Sequence, residues 1–304
     1  MAGQVNTSNA TSTAIDLSRL PVPKVVEPLD FETILAARRA DFLARYPEFS
    51  AFVESDPAIK LLEVGAYREL VIRQRINDGA SSVLLAYAVG SDLDNLGVLF
   101  GVFRNEITPA DPQAGTPAVM ETDDALRRRI VLAPDSYSVA GPASAYVFHA
   151  LTASGDVLDA SATSPAPGEV IVSVLSRLGD GTASAQLIAE VDAVLAADDI
   201  RPLTDLVTVQ SAAIQTFDIT ANLTLYPGPD ADLMLDTANA SLDDMLASNR
   251  RLGRDITRSA IIAALHVGGV QNVDLVEPTA DVVVDELSAA AVAARAVTVA
   301  GFGE

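Results

Sequence analysis

A chain of 304 residues that is 49% hydrophobic, 5% aromatic and free of Trp must build its cores from Ala, Val, Leu and Ile, and a length of this order ordinarily divides into two or more domains. Its formal charge of −21 opposes the counterion release that drives nucleic-acid binding, and the absence of Cys excludes a disulfide framework, a thiolate nucleophile and cysteine-ligated zinc. No run reaches the roughly 18 apolar residues of a membrane span: the longest candidate, residues 83–89, meets Gly90, Ser91 and Asp92 at once. Neither nucleic acid nor membrane is expected as a partner.

Residues 1–14 are polar and rich in Ser, Thr and Asn, without the basic start and apolar run of a signal peptide, and read as a loose tail. With the extended stretch Leu20-Pro21-Val22-Pro23 they make an N-terminal arm over residues 1–29. Of the 20 basic residues only Lys24 and Lys60 are lysines, which fits GC-rich codon usage better than an interface built on arginine.

Asp30 is placed to cap a helix running to residue 46, with Phe31, Ile34, Leu35, Phe42 and Leu43 on one stripe and Pro47 ending it. Asp56-Pro57 writes a second start, a capping carboxylate followed by Pro at the first helical position. This helix is expected to reach about residue 77 and to span roughly 30 Å. Its face Ile59, Leu62, Ala66 and Leu70 is narrow, while Glu63, Arg68, Glu69, Arg73 and Arg75 crowd the remainder, with Glu69 and Arg73 a favourable i,i+4 pair. It suits a rib of a bundle, formed either within the chain or with partner helices. A third helical run is expected over residues 82–89, then a short helix capped by Asp92 with Leu93, Leu96, Leu99 and Phe100 inward. The Pro-rich connector 109–117 closes a helical domain of residues 30–108.

Beyond it the period changes. Residues 157–163 and 170–175 read as strands around the turn Pro165-Ala166-Pro167-Gly168, residues 184–196 as a helix and 207–210 as a strand, one ββαβ unit in a middle domain of residues 109–213. The pattern recurs in a C-terminal domain of residues 214–304: a long strand over 214–225, a helix over 232–250 terminated by Gly253, a shorter helix over 257–266, and strands over 270–276 and 282–284. The Ala/Val-rich tail after Leu287 receives no assignment. The fold class is α+β, a helical, bundle-forming N-terminal third followed by two small α+β modules.

No catalytic, cofactor or metal site is expected. His149 and His266 lie far apart and in no metal-ligand spacing. Gly179-Asp180-Gly181-Thr182 lacks both phosphate-loop signatures and reads as a tight turn before a capped helix. The pairs Asp123-Asp124, Asp198-Asp199 and Asp243-Asp244 point neighbouring carboxylates to different faces, and the first sits at a helix start, where acids are expected.

The run from Pro21-Val22-Pro23 to Asp30-Phe31-Glu32-Thr33-Ile34-Leu35, then Lys60-Leu61-Leu62-Glu63, Tyr67-Arg68-Glu69-Leu70 and Gly90-Ser91-Asp92-Leu93-Asp94, closely resembles the N-terminal part of the J-type baseplate assembly proteins of contractile-tailed phages. The resemblance continues through Leu225-Tyr226-Pro227-Gly228-Pro229, Arg251-Leu252-Gly253-Arg254-Asp255-Ile256 and Ala263-Ala264-Leu265-His266-Val267, in order from about residue 15 to 284. It implies a non-enzymatic structural protein of the virion tail, assembled in the bacterial cytoplasm, in a phage or a phage-tail-like bacteriocin. Two copies would join one I-type wedge protein, and six wedges would close around the hub and spike, with the W-type baseplate protein and the sheath nearby. An N-terminal bundle would hold each wedge, C-terminal domains of neighbouring wedges would pair, and rearrangement of the ring would transmit the contraction trigger. Ile59, Leu62, Tyr67, Glu69, Leu70 and Arg73 on the second helix, with Arg251 and Arg254, are the candidate partner-interface residues. A tail-associated carbohydrate-binding or hydrolytic accessory is the alternative, and 6 Tyr with no Trp is a poor endowment for it. A cytoplasmic enzyme would instead require a pocket of converging, perturbed carboxylates.

Overall fold

The computed structural model describes residues 17, 20, 23, 25–50, 53–138, 141–197, 200–228 and 230–303. The 1–14 tail, Pro21-Val22 of the expected arm and the Asp198-Asp199 pair lie outside the described residues. The chain divides into two compact units, meeting between Phe103 and Arg104.

In the N-terminal unit, α1 (Phe31–Arg45) starts where its cap dictates: the Asp30 carboxylate accepts hydrogen bonds from the Thr33 amide at 2.8 Å and its hydroxyl at 2.7 Å. In α2 (Pro57–Ser82) the Asp56 carboxylate accepts from the Ala58 amide at 2.7 Å, and Pro57 occupies a position whose N–H would have no helical partner. The two helices close on Ile34, Leu35 and Ala66, flanked by Phe31, Leu62 and Leu70.

The helix α2 runs five residues further than its pattern predicts, and the expected third helix over 82–89 is a run of turns. Leu84, Tyr87 and Ala88 amides bond back to Ser81 and Leu84 carbonyls, and Gly90 adopts φ +55, a left-handed conformation that no continuing helix includes. Hydropathy alone does not distinguish such a turn from a buried helix. The next helix, α3 (Gly90–Val98), has Val89 at its cap without a side-chain bond; Asp92 lies in its first turn instead, favourable to the dipole but not a cap.

The second unit opens with a hairpin of β1 (Glu106–Thr108) and β2 (Val119–Met120), so the Pro-rich residues 109–117 form its loop, tied by the Asp111 to Thr116 bridge. Then come α4 (Asp123–Ser136), capped by Thr122, and α5 (Ala143–Ala153). The ββαβ unit follows as read: β3 (Val157–Thr163), β4 (Glu169–Ser176), α6 (Ala185–Leu195) capped by Ser184, and β5 (Leu206–Ser211). The sheet order is β3-β4-β5; the first pair is antiparallel, and α6 supplies the crossover that the parallel β4/β5 pair requires.

The last module is β6 (Ala213–Leu225), α7 (Ala231–Asn249), α8 (Arg258–Leu265), β7 (Val270–Glu277) and β8 (Ser288–Phe302). Its order is β7-β6-β8, antiparallel then parallel, which leaves β8 at an edge. Two expectations need correction. Gly253 does not end α7: that helix stops at Asn249, and Gly253 lies beyond it with φ +64, donating its amide to Ser288 O at 2.9 Å. The expected strand 282–284 is a single bridge of Val282 to Ile256; Val282 and Val284 are buried in the core from an irregular segment, with the Val284 amide donating to Asp255 at 2.9 Å.

The main core lies between this sheet and α7/α8, with Ile219, Leu223, Leu225, Leu242, Ile261 and Leu265 fully buried. A smaller cluster joins the modules, Leu252 and Ala289 covering Leu175 and Ala212. The Asp159 carboxylate crosses the same seam, accepting from the Leu252 amide at 3.0 Å.

One buried ion pair ties the hairpin to α4 and α5. Arg129 donates from Nε to Glu121 Oε1 at 3.0 Å and from Nη2 to Oε2 at 2.6 Å, and from Nη1 to Thr152 at 3.3 Å; the Asn105 amide donates to Glu121 at 3.0 Å. Both charged side chains are almost wholly out of solvent, at 2% and 4% exposure. Glu121→Ala strands a buried guanidinium and is expected to destabilise the unit by about 3–5 kcal/mol. Asp124→Ala, which removes a 92% exposed carboxylate paired to Arg127, is expected to cost under about 1 kcal/mol. Urea unfolding of both variants checks the contrast.

Candidate partner interfaces

The geometry of α2 separates the expected interface residues into two groups. Ile59 is buried, Leu62 and Leu70 pack into the α1/α2 seam, and Ala66 is fully enclosed between them. Glu69 accepts from Arg38 of α1 at 2.9 Å and pairs with Arg73 at 2.8 Å, and Arg73 also reaches Glu27 at 3.2 Å. The hydrogen bond from Arg38, followed by Arg73, holds the Glu69 carboxyl below the usual glutamate range. These five residues thus serve cohesion of the unit. Of the expected set on α2, Tyr67 is 57% exposed and takes no part in the α1/α2 seam.

Tyr67 belongs to a second apolar stripe. Leu61, Val64, Val71, Ile72 and Ile76 are all exposed with it along one side of α2, as a turn of about 100° per residue places positions 61, 64, 71 and 72 together. Exposed apolar residues gathered on one side of a helix, here with Arg68 and Arg75 among them, suit an interaction surface. The signal was present in the sequence as a second i, i+3, i+10, i+11 series interrupted by Arg68 and Arg75.

In the second unit, Arg251 and Arg254 follow α7, and both are exposed. The outer strand β8 carries 15 residues, pairs through its register with β6, and has Arg295 as its one charged residue. Unpaired backbone along such an edge is a template for adding another strand.

The groups with potential chemistry have structural surroundings. His149 stands edge-on to Phe148 within α5, and the His266 amide closes α8 on Ile262 O at 2.9 Å. Tyr146 donates to Asp205 at 2.7 Å; burial first, then that carboxylate, pushes the phenol up, away from the range of a base or nucleophile. In the Gly179–Thr182 turn the Asp180 carboxylate accepts from the Thr182 amide at 2.9 Å, which holds it below the ordinary aspartate value. Among the described residues no group of three or more His, Asp or Glu is arranged to hold a metal, and no helix is long and apolar enough to cross a membrane.

Three family models match in chain order: the Baseplate J-like N-terminal domain over residues 54–111, the Baseplate J-like central domain over 138–211, and the Baseplate J-like protein C-terminal domain over 217–299. Baseplate protein J of Escherichia phage P2 is 49% identical over 284 residues, covering 90% of this chain and 94% of that protein. The chain belongs to the baseplate J-like family.

Proposed function

We infer that this chain is a structural component of a phage-type tail baseplate, located in the virion tail and acting by assembly rather than by turnover. The observation that carries the reading is the 49% identity to a phage baseplate protein J over 90% of the chain, together with the three domain matches in order. The N-terminal helical unit, up to Phe103, is the wedge core, where the exposed side of α2 packs against helices of an I-type partner and of a second copy. The apolar strip Leu61, Val64, Tyr67, Val71, Ile72 and Ile76 supports this role. The middle domain, residues 109–213, carries the C-terminal domain, residues 214–304, whose open edge at β8 meets the neighbouring wedge. The W-type protein, hub, spike and sheath are the surrounding structures.

Co-expression with the I-type protein is expected to yield a complex with two copies of this chain to one of the partner in native mass spectrometry, without turnover of peptidoglycan, nucleotides or esters. A purified chain that ignores the I-type protein, or turnover that disappears on changing one carboxylate, overturns the reading.

A further inference from the structure

We propose that the cleft at the seam of the middle and C-terminal modules is a socket for one carboxylate on an acidic segment of a partner protein. The cleft, about 120 Å³, is lined by Arg128 and Arg129 of α4, Arg177 beyond β4, and Arg250 and Arg251 beyond α7, against Glu121 and Asp124.

The acids are already committed. Glu121 is held by Arg129 through two hydrogen bonds. Asp159 beside the cleft takes Arg128 at 2.6 Å and the Leu252 amide at 3.0 Å, and Asp124 takes Arg127 at 2.6 Å.

The arginines are not matched in turn. Arg177 donates to the carbonyl oxygens of Gly155 at 3.1 Å and Val157 at 3.3 Å, and Arg250 to those of Gly179 at 2.7 Å and Arg177 at 3.4 Å; these acceptors carry no charge, and Glu121 and Asp156 act on Arg177, and Asp180 on Arg250, only through space. Among the described residues the Arg251 guanidinium has no hydrogen bond or ion pair. Desolvation first, then Arg128, lowers its hold on its proton, with Asp159 and Asp124 opposing and Arg254 adding to the repulsion. Arg251 as a residue is nonetheless exposed: its surface reaches solvent while its charge sits among other cations. It remains ionised, as arginine does in proteins.

The lining itself carries five arginines against Glu121 and Asp124, an excess of positive charge in a concave site of a chain with net charge −21. The site falls below the roughly 300 Å³ at which small-molecule pockets begin, and Glu121 and Asp124 in the wall disfavour a dianion such as phosphate. A single carboxylate, gripped by the planar fork of Arg251 with Arg250 or Arg177 behind it, satisfies both charge and size. Because Arg128, Arg129 and Arg177 come from one module and Arg250 and Arg251 from the other, the bound group staples the two together.

The test uses the full-length chain and a fluorescent, end-blocked tetraglutamate peptide in anisotropy titrations at low salt, with tetraglutamine, inorganic phosphate and a charge-matched variant, Arg45→Gln, as comparisons. Tetraglutamate is expected to bind and tetraglutamine not; Arg251→Gln is expected to weaken binding by about tenfold or more, the loss of a charge-assisted pair, with an unchanged melting temperature, while Arg45→Gln stays within about twofold. Equal weakening by both variants reduces the effect to net charge and overturns the proposal, as do competition by phosphate at equal affinity and an absence of peptide binding. Salt-sensitive self-association lost in Arg251→Gln would make the occupant a second copy of this chain and overturn it as well.

Discussion

Val64→Asp combined with Val71→Asp is expected to leave the N-terminal unit folded and to abolish its association with the I-type partner. Both valines are exposed, 57% and 43%, so in the free chain each new carboxylate stays hydrated, and surface changes of this type ordinarily cost within about 0.5 kcal/mol. On the proposed interface the same carboxylates lose their water on binding, and Arg68 and Arg75, each four residues further along the helix, offset this only in part, so the pair is expected to cost several kcal/mol of the association free energy. Leu62→Asp is the opposite case. Leu62 is partly buried against the Ile34, Leu35 and Ala66 cluster, so its charge sits in the α1/α2 seam of the free chain and the pair is expected to be destabilised. Circular dichroism and co-purification, run on both variants, separate the outcomes. A folded double variant that still captures the partner removes the exposed side of α2 from the interface; a folded Leu62→Asp chain that fails to bind returns the interface to the Leu62 side.

The same contrast shows what the sequence could carry. Helix starts were legible because a cap is a local device: Asp30, Asp56, Ser184 and Thr257 each accept from an amide two or three residues on. Strand β3 was legible to the residue, bounded by turn residues on both sides. The choice of face on α2 was not, because two apolar series share one helix and only the position of α1 decides which is covered. Strand β8 escaped because Ala is a poor strand former and its Ala/Val run gives no polar alternation; its thirteen-residue parallel partner β6 supplies the order. The arginine cleft had no spacing to read, since residues 128–129, 177 and 250–251 meet only through the packing of one module on the other.

The second large effect concerns that edge strand. Ala296→Lys with Ala300→Lys is expected to leave wedges intact and prevent their closure into a ring. Both alanines are exposed on β8, while their neighbours Val297 and Val299 keep packing on the module's core, so the fold tolerates the change. On the outer side β8 offers a long run of backbone donors and acceptors with Arg295 its one charge, and Arg295 is turned back to Asp243 of α7. Lysines along an edge are a common means of blocking strand addition, and in a twofold pairing of like edges each lysine also meets its symmetry mates, so one patch serves both neighbours and one pair of substitutions disables both. Deleting everything after Ala213 is a blunter test. It removes Leu252 and Ala289, uncovering Leu175 and Ala212, and takes the Leu252 amide from Asp159, so it damages the middle module along with the edge. Electron microscopy of assemblies carrying the double-lysine chain should therefore find separate wedges with the I-type partner still bound. Closed baseplates built from that chain would place the contact between neighbours elsewhere than β8.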